Sequence, residues 1–198
     1  MQRTLLGIMS AAIVFCCGHV HAEQGSKSAP SPSKLREGDK APDFSLRDMD
    51  GNLVRLTDFA YPGKEKPWAK KKKVLIDFFR TDCEPCKKEL PEVVGYFNKH
   101  KEDTHVMMIS LLETDNGREK LDDFLQKNAI PFPILVDAYE TVAKKYIVEG
   151  DSVTLPSLFF LDEDGMIRGR FTGLKEGLEA ALSKLVAELP AKAPEPPR

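Results

Sequence analysis

Two cysteines separated by two residues, Cys83 and Cys86, are the feature of this sequence that most directly predicts chemistry. An apolar segment precedes them and a helical pattern follows. Cys83 is therefore expected at a helix N-terminus, where backbone N–H groups stabilise a thiolate. Cys86 lies one turn further along, within reach of Cys83, and Pro85 suits the first turn because its missing N–H would be unpaired there. The spacing predicts thiol–disulfide exchange, with Cys83 as nucleophile and Cys86 as resolving thiol.

A structural bridge and half of a zinc site are the alternative interpretations of the two cysteines. A bridge that closes so short a loop constrains the unfolded chain rather little. Zinc would need two further ligands, and neither His100 nor His105 stands at metal-ligand spacing from the motif. We therefore expect no metal and no bound cofactor, and we expect the Cys83–Cys86 disulfide to be the redox-active group.

The remaining cysteines, Cys16 and Cys17, lie in an N-terminal segment with the features of a secretory signal peptide. Arg3 supplies a positive start, an apolar run follows, and Val20-His21-Ala22 offers a small-residue cleavage site. We predict a signal peptide over residues 1–22, whose removal leaves a single pair of cysteines. An uncleaved anchor and a lipid-attached cysteine are the alternatives.

Composition indicates one domain with extensions. The predicted organisation is a flexible tether over 23–34, a folded domain over 35–189 and a disordered tail over 190–198. Hydrophobic residues make up 41% of the chain, which suits one ordinary core and is too little for an integral membrane protein. The net charge of -2 gives no reason to expect nucleic acid as a partner. We expect a monomer that is periplasmic, or tethered to the membrane and facing the periplasm.

Hydrophobic patterns along the folded part alternate between strands and helices. We predict strands or hairpin arms at 44–46, 53–55, 74–79, 106–112, 134–136, 158–161 and 166–171, helices at 83–99, 118–128, 141–146 and 174–189, and a Pro- and Lys-rich loop over 61–73. The Lys70–Lys73 run is interpreted as a solvated approach to a strand, with a docking patch for an acidic partner as the alternative. This order predicts an α/β fold: a central mixed β-sheet with helices on both faces and an N-terminal β-hairpin extension.

The segment from Val74 to Pro91 resembles the active-site segment of thioredoxin-fold proteins. Its closest resemblance is to the exported TlpA/ResA type, which includes reductants used in cytochrome c maturation. Asp77 stands where thioredoxins keep a buried acid, and the motif from Cys83 to Glu89 is similar to the ResA-type motif. Thr154-Leu155-Pro156 matches the segment that bears the family's cis-proline. The resemblance implies a thioredoxin fold over the whole folded part.

The resemblance also implies roles for residues around the cysteine pair. Pro156 is expected to be a cis-proline that holds Leu155, so that the Leu155 backbone pairs with a substrate strand, and to exclude metal from the sulfurs. Glu84 and Pro85, between the cysteines, are expected to contact the substrate. One departure concerns partner identity: related sequences carry a Trp shortly before the first cysteine, whereas the only Trp here is Trp68, in the Lys-rich loop.

Two carboxylates are candidates for moving the proton of Cys86. Asp77 lies in an apolar run, and burial beneath the disulfide would raise its pKa and let it exchange a proton with Cys86. Glu89 is one helical turn beyond Cys86 and so can face the same site. Solvated carboxylates at both positions are the alternative.

Two further carboxylates, Asp82 and Glu84, flank Cys83 and bear on the direction of electron flow. Like charge disfavours a thiolate, whereas the helix terminus favours it. DsbA is a strong oxidant because its reduced form is stabilised, and an acidic setting should have the opposite effect. We therefore expect a reductant.

The predicted function is reduction of disulfides in exported proteins, with apocytochrome c as one candidate substrate and a membrane-embedded thiol donor as the electron source. A thiol peroxidase is one alternative, because Arg80-Thr81 precede Cys83. However, peroxidases of this fold place the Thr three residues before the cysteine, and here it is two. A redox-sensing or copper-binding accessory module is another, since two thiols can bind Cu(I).

Overall fold

A computed structural model of the protein describes residues 35–60, 72–113, 115–150 and 152–189. In chain order the described elements are β1 (Ser45–Asp48), β2 (Leu53–Arg55), β3 (Lys73–Phe79), α1 (Glu84–His100), β4 (Thr104–Leu111), α2 (Gly117–Lys127), β5 (Ile134–Asp137), α3 (Ala143–Tyr146), β6 (Val148–Glu149), β7 (Ser152–Val153), β8 (Ser157–Leu161), β9 (Ile167–Thr172) and α4 (Leu178–Glu188). The predicted signal peptide, tether and tail, and residues 61–71 of the Lys-rich loop, lie outside the described residues.

Seven strands form one mixed sheet in the order β2-β1-β5-β4-β3-β8-β9. Strand β3 lies near the middle, parallel to β4 and antiparallel to β8. Strands β1 and β2 form the predicted hairpin and extend the sheet beside β5. The mixed sheet with an N-terminal hairpin extension is therefore confirmed. The pair β6–β7 was not predicted, because two-residue strands are too short to carry a periodic pattern.

Strand β3 is buried on both faces of the sheet, as its continuous apolar sequence predicts. Its side chains alternate between two hydrophobic clusters, with Val74, Ile76 and Phe78 in one and Leu75 and Phe79 in the other. Because strand side chains alternate, Asp77 points to the same face as Leu75 and Phe79. That face is covered by helix α1, whose Cys86 belongs to the same cluster.

Helices cover both faces of the sheet. Helices α1, α2 and α4 contribute to the cluster that contains Cys86, whereas α3 packs Ala143 and Tyr146 into the other cluster. Helix α4 begins four residues later than predicted, because Gly177 adopts a left-handed φ of 68° immediately before it. Within the described ranges, no helix combines the length and apolar composition needed to cross a bilayer.

Candidate active site

Cys83 and Cys86 form a disulfide at the start of helix α1. Cys83 is the N-cap residue, and the backbone N–H of Cys86 donates to Cys83 Sγ at 3.2 Å. Cys86 is buried at 5% exposure, whereas Cys83 is partly exposed. A thiol at position 83 would therefore be the one that a protein substrate could reach, which agrees with the predicted order of attack. Glu84 and Pro85 between them are exposed, so both are accessible to a partner.

Asp77 lies on the face of β3 that helix α1 covers, at 3% exposure. Burial raises its pKa well above the ordinary value, and the charge of Glu89 raises it further. Its Oδ1 atom makes no hydrogen bond within the described part of the chain. A buried carboxyl group without this partner favours its protonated form, so Asp77 is suited to hold a proton near Cys86.

Glu89 lies one turn beyond Cys86 on helix α1 and is also buried, at 1% exposure. Burial raises its pKa to about 7, an effect that the backbone N–H of Lys175 opposes and the charge of Glu92 reinforces. The Lys175 N–H donates to Glu89 Oε2 at 3.4 Å. The structure thus brings Asp77 and Glu89 to the face of the sheet where Cys86 lies, and neither is a solvated carboxylate.

The exposed carboxylates next to Cys83 are both paired with cations. The sequence alone suggested that their negative charge would disfavour a thiolate at Cys83, and the pairing weakens that effect. Arg80 Nε lies 3.0 Å from Asp82 Oδ1, and Lys87 Nζ lies 2.6 Å from Glu84 Oε1. The hydrogen bond and charge of Lys87 lower the pKa of Glu84. These cations offset much of the negative charge that the sequence alone suggested, so the buried carboxyl groups are the stronger influence on the site.

Pro156 stands at the same edge of the sheet as the cysteine motif. It immediately precedes β8, whose first residue, Ser157, is opposite Phe78 near the end of β3. The Leu155–Pro156 peptide bond is cis, as expected. The Gly173 N–H donates to the Pro156 carbonyl at 2.9 Å, and Leu155 is half-buried. Its backbone role toward a substrate stays a prediction.

Glu113 is a residue near the site that the sequence did not single out. It follows β4, whose end lies beside that of β3 because the two strands are parallel. Its Oε1 accepts a hydrogen bond from the hydroxyl group of Thr81 at 2.5 Å. A cleft of about 460 Å³ opens beside it, with Asp82, Lys87 and Phe124 among the lining residues. The position of Glu113 at the shared edge of two parallel strands was the only available signal.

Comparison with known proteins gives consistent results. A family model described as the AhpC/TSA family matches residues 37–170. The thiol-disulfide oxidoreductase ResA of Bacillus thuringiensis subsp. konkukian is 28% identical over 187 residues, covering 93% of this chain and 99% of that protein. ResA of Bacillus cereus is 30% identical over 154 residues, covering 77% of this chain and 80% of that protein.

A solved structure of the thioredoxin domain of a thiol-disulfide oxidoreductase from Bacteroides vulgatus matches with a TM-score of 0.59 at 24% identity. The match covers 77% of this chain and 99% of that one, and it confirms the predicted thioredoxin fold. The family match spans well over half of the sequence. The chain therefore belongs to the AhpC/TSA family and, like the ResA proteins that it resembles, is a thiol–disulfide oxidoreductase.

Proposed function

We propose that this oxidoreductase works as a reductant, transferring two electrons from the Cys83–Cys86 dithiol to disulfide bonds of exported proteins. A membrane-embedded thiol donor would return the dithiol to its reduced form. Apocytochrome c remains one candidate substrate. No bound cofactor is needed, because the cysteine pair itself carries the electrons.

The observation that carries this proposal is the pair of buried carboxyl groups, Asp77 and Glu89, on the face where Cys86 lies. Both pKa values are raised, mainly by burial. An apolar interior that disfavours a carboxylate also disfavours an additional thiolate at Cys86. A reduced form that is not stabilised as a thiolate gives up its electrons more readily, which is the opposite of the DsbA case.

The exchange proceeds in two steps. The Cys83 thiolate attacks a substrate disulfide, which forms a mixed disulfide and releases one substrate thiolate. Cys86 then loses its proton to whichever of Asp77 and Glu89 is ionised, and attacks Cys83 Sγ. This step closes the Cys83–Cys86 disulfide and releases the second substrate thiol. Two electrons have then passed to the substrate.

The proposed compartment follows from the N-terminal sequence. The predicted signal peptide over residues 1–22 would deliver the domain to the periplasm, either free or tethered to the membrane. The resemblance to the exported TlpA/ResA type supports the same location. Cell fractionation with an antibody against the folded domain, with and without the first 22 residues, tests it directly.

Two alternatives from the sequence receive less support from the site. The side chains that suggested a peroxidase are engaged elsewhere, since Arg80 pairs with Asp82 and Thr81 donates to Glu113. A copper-binding module would rely on the two thiols alone. In the described part of the chain, no group of three His, Cys, Asp or Glu side chains is arranged to hold a metal ion.

Trapping of substrates tests the proposed function. A Cys86→Ala variant keeps the nucleophile and loses the resolving thiol, so it should accumulate mixed disulfides with exported proteins in the native compartment. The matched control, Cys83→Ala combined with Cys86→Ala, should trap none. Mass spectrometry of the species that dithiothreitol releases would identify the substrates. Absence of trapped protein from the single variant would contradict the proposal.

A further inference from the structure

The turn over Arg80–Cys83 connects β3 to helix α1 and sets the position of the attacking sulfur. Its own contacts are few: the Cys83 N–H donates to the Arg80 carbonyl at 3.2 Å, and the Arg80 and Asp82 side chains pair at the surface. The ion pair is exposed, and exposed ion pairs contribute little to the stability of a local structure. A more buried contact would hold the turn more firmly than this ion pair does.

Glu113 supplies that contact from outside the motif. Its side chain is only 11% exposed and accepts the Thr81 hydroxyl group at 2.5 Å. Lys120 Nζ, from helix α2, lies 2.7 Å from Glu113 Oε2. One carboxylate at the end of β4 therefore joins Thr81 of the turn to Lys120 of α2.

The electrostatics of Glu113 suit this role. Burial by itself would raise its pKa, but the contacts with Lys120 and Thr81 outweigh burial and lower it. Glu113 is thus ionised at neutral pH and accepts charge-assisted hydrogen bonds, which are stronger than neutral ones. The positive charge of Lys120 offsets the negative charge of Glu113. Glu113 therefore affects Cys83 mainly by fixing the position of the turn.

We propose that Glu113 is a positioning residue that acts through Thr81 to hold the turn before Cys83 in the geometry required for attack on a substrate disulfide. The proposal rests on the proposed function, in which Cys83 is the attacking group. It assigns a role to Thr81, which no step of the exchange uses. Displacement of a reacting group by about 1 Å can reduce a rate about a hundredfold. A contact at Thr81, two residues before Cys83, can therefore change the rate at which Cys83 attacks a disulfide.

The test compares reduced proteins by two readouts: the second-order rate constant for reaction with a disulfide-bonded peptide, and the pH midpoint of Cys83 alkylation by iodoacetamide. Thr81→Val removes the hydroxyl group without changing charge or much volume. We expect its rate to fall about tenfold or more. Its alkylation midpoint should rise, because a displaced Cys83 loses part of the stabilisation from the helix N-terminus. Thr81→Ser keeps the hydroxyl group and should stay within about twofold of wild type.

A double-mutant cycle with Glu113→Ala tests whether the two residues act together. Because they share one contact, Thr81→Val combined with Glu113→Ala should be no slower than the slower single variant. Glu113→Gln retains an acceptor oxygen and should be less impaired than Glu113→Ala. Glu188→Gln, which alters an exposed ion pair with Lys184 at the end of helix α4, is the control and should leave both readouts unchanged.

A wild-type rate and midpoint in Thr81→Val would overturn the proposal, as would independent, multiplying losses in the double variant. If Glu113→Ala does not fold, Thr81→Val and Glu113→Gln test the proposal in its place. If wild type itself does not reduce the peptide, the proposed function fails instead. The alkylation midpoint then still tests the contact.

Discussion

The charge of Glu89 on helix α1 acts on the carboxyl group of Asp77 on strand β3, and both groups are buried on the side of the sheet where Cys86 lies. Each is more easily ionised when the other is neutral, so the two groups titrate as a coupled pair. A site of this kind can hold one proton near the resolving thiol while avoiding two buried charges. Several measurable consequences follow from that property.

The stability of the oxidised protein should depend on pH through Glu89. Its pKa is raised from 4.5 to about 7 in the folded state, so the folded protein binds this proton more tightly than the unfolded chain does. The associated stabilisation is complete below about pH 4.5 and is lost as the pH rises through about 7. Across that range we expect Glu89 to lower the free energy of unfolding by roughly 3 kcal/mol.

Glu89→Gln should remove the contribution of Glu89 to this decline, as measured by urea unfolding between pH 4.5 and pH 8. The contribution of Asp77, whose pKa is also raised, should remain. Glu188→Gln, which changes an exposed carboxylate, should keep the full decline. Equal declines in Glu89→Gln and wild type would show that Glu89 does not carry the raised pKa.

Asp77→Asn should slow the resolving step. It removes one of the two carboxyl groups that can take the proton from Cys86 when ionised, and general acid–base catalysis typically contributes about 10²–10⁴-fold. Glu89 remains to share the task, so we expect a loss of about tenfold to a hundredfold in resolution at pH 7. Formation of the mixed disulfide by Cys83 should be almost unaffected.

Quenched-flow alkylation followed by mass spectrometry separates these steps, because the mixed disulfide should accumulate transiently in Asp77→Asn. Asp122→Asn, an exposed carboxylate on helix α2, is the matched control. A mixed disulfide that resolves as fast in Asp77→Asn as in the control would count against Asp77 as the proton acceptor.

Neutralising Asp82 should have a small effect on Cys83. Asp82→Asn frees the guanidinium group of Arg80, and the positive charge then favours the thiolate. Because exposed ion pairs are worth only ~0–1 kcal/mol, the pH midpoint of Cys83 alkylation should fall by less than about one pH unit. Glu84→Gln, which frees Lys87, should behave similarly. A larger fall in either variant would restore the acidic neighbours as the main influence on Cys83.

The sequence predicted the reactive motif and most of the elements that hold it, because those features depend on local spacing. The position of Cys83 as N-cap and the burial of Asp77 follow from a helix signal and an apolar run respectively. The partners of Asp82, Glu84 and Thr81 could not be predicted, since side-chain pairing depends on the folded geometry. The same holds for the placement of β1 beside β5, which are distant in sequence.

Glu113 shows this limit most clearly. It reaches the turn before Cys83 only because β3 and β4 are parallel neighbours, so that the ends of both strands meet at one edge of the sheet. A single carboxylate after a strand has no distinctive pattern in the sequence. The structure was needed to connect it with the chemistry at Cys83.

The standard redox potential of the Cys83–Cys86 couple tests the central claim most directly. It is measured by equilibrating the protein with a dithiothreitol or glutathione redox buffer of known potential. For a reductant we expect a value near that of thioredoxin, about −270 mV. A value near about −120 mV, that of the oxidant DsbA, would contradict it.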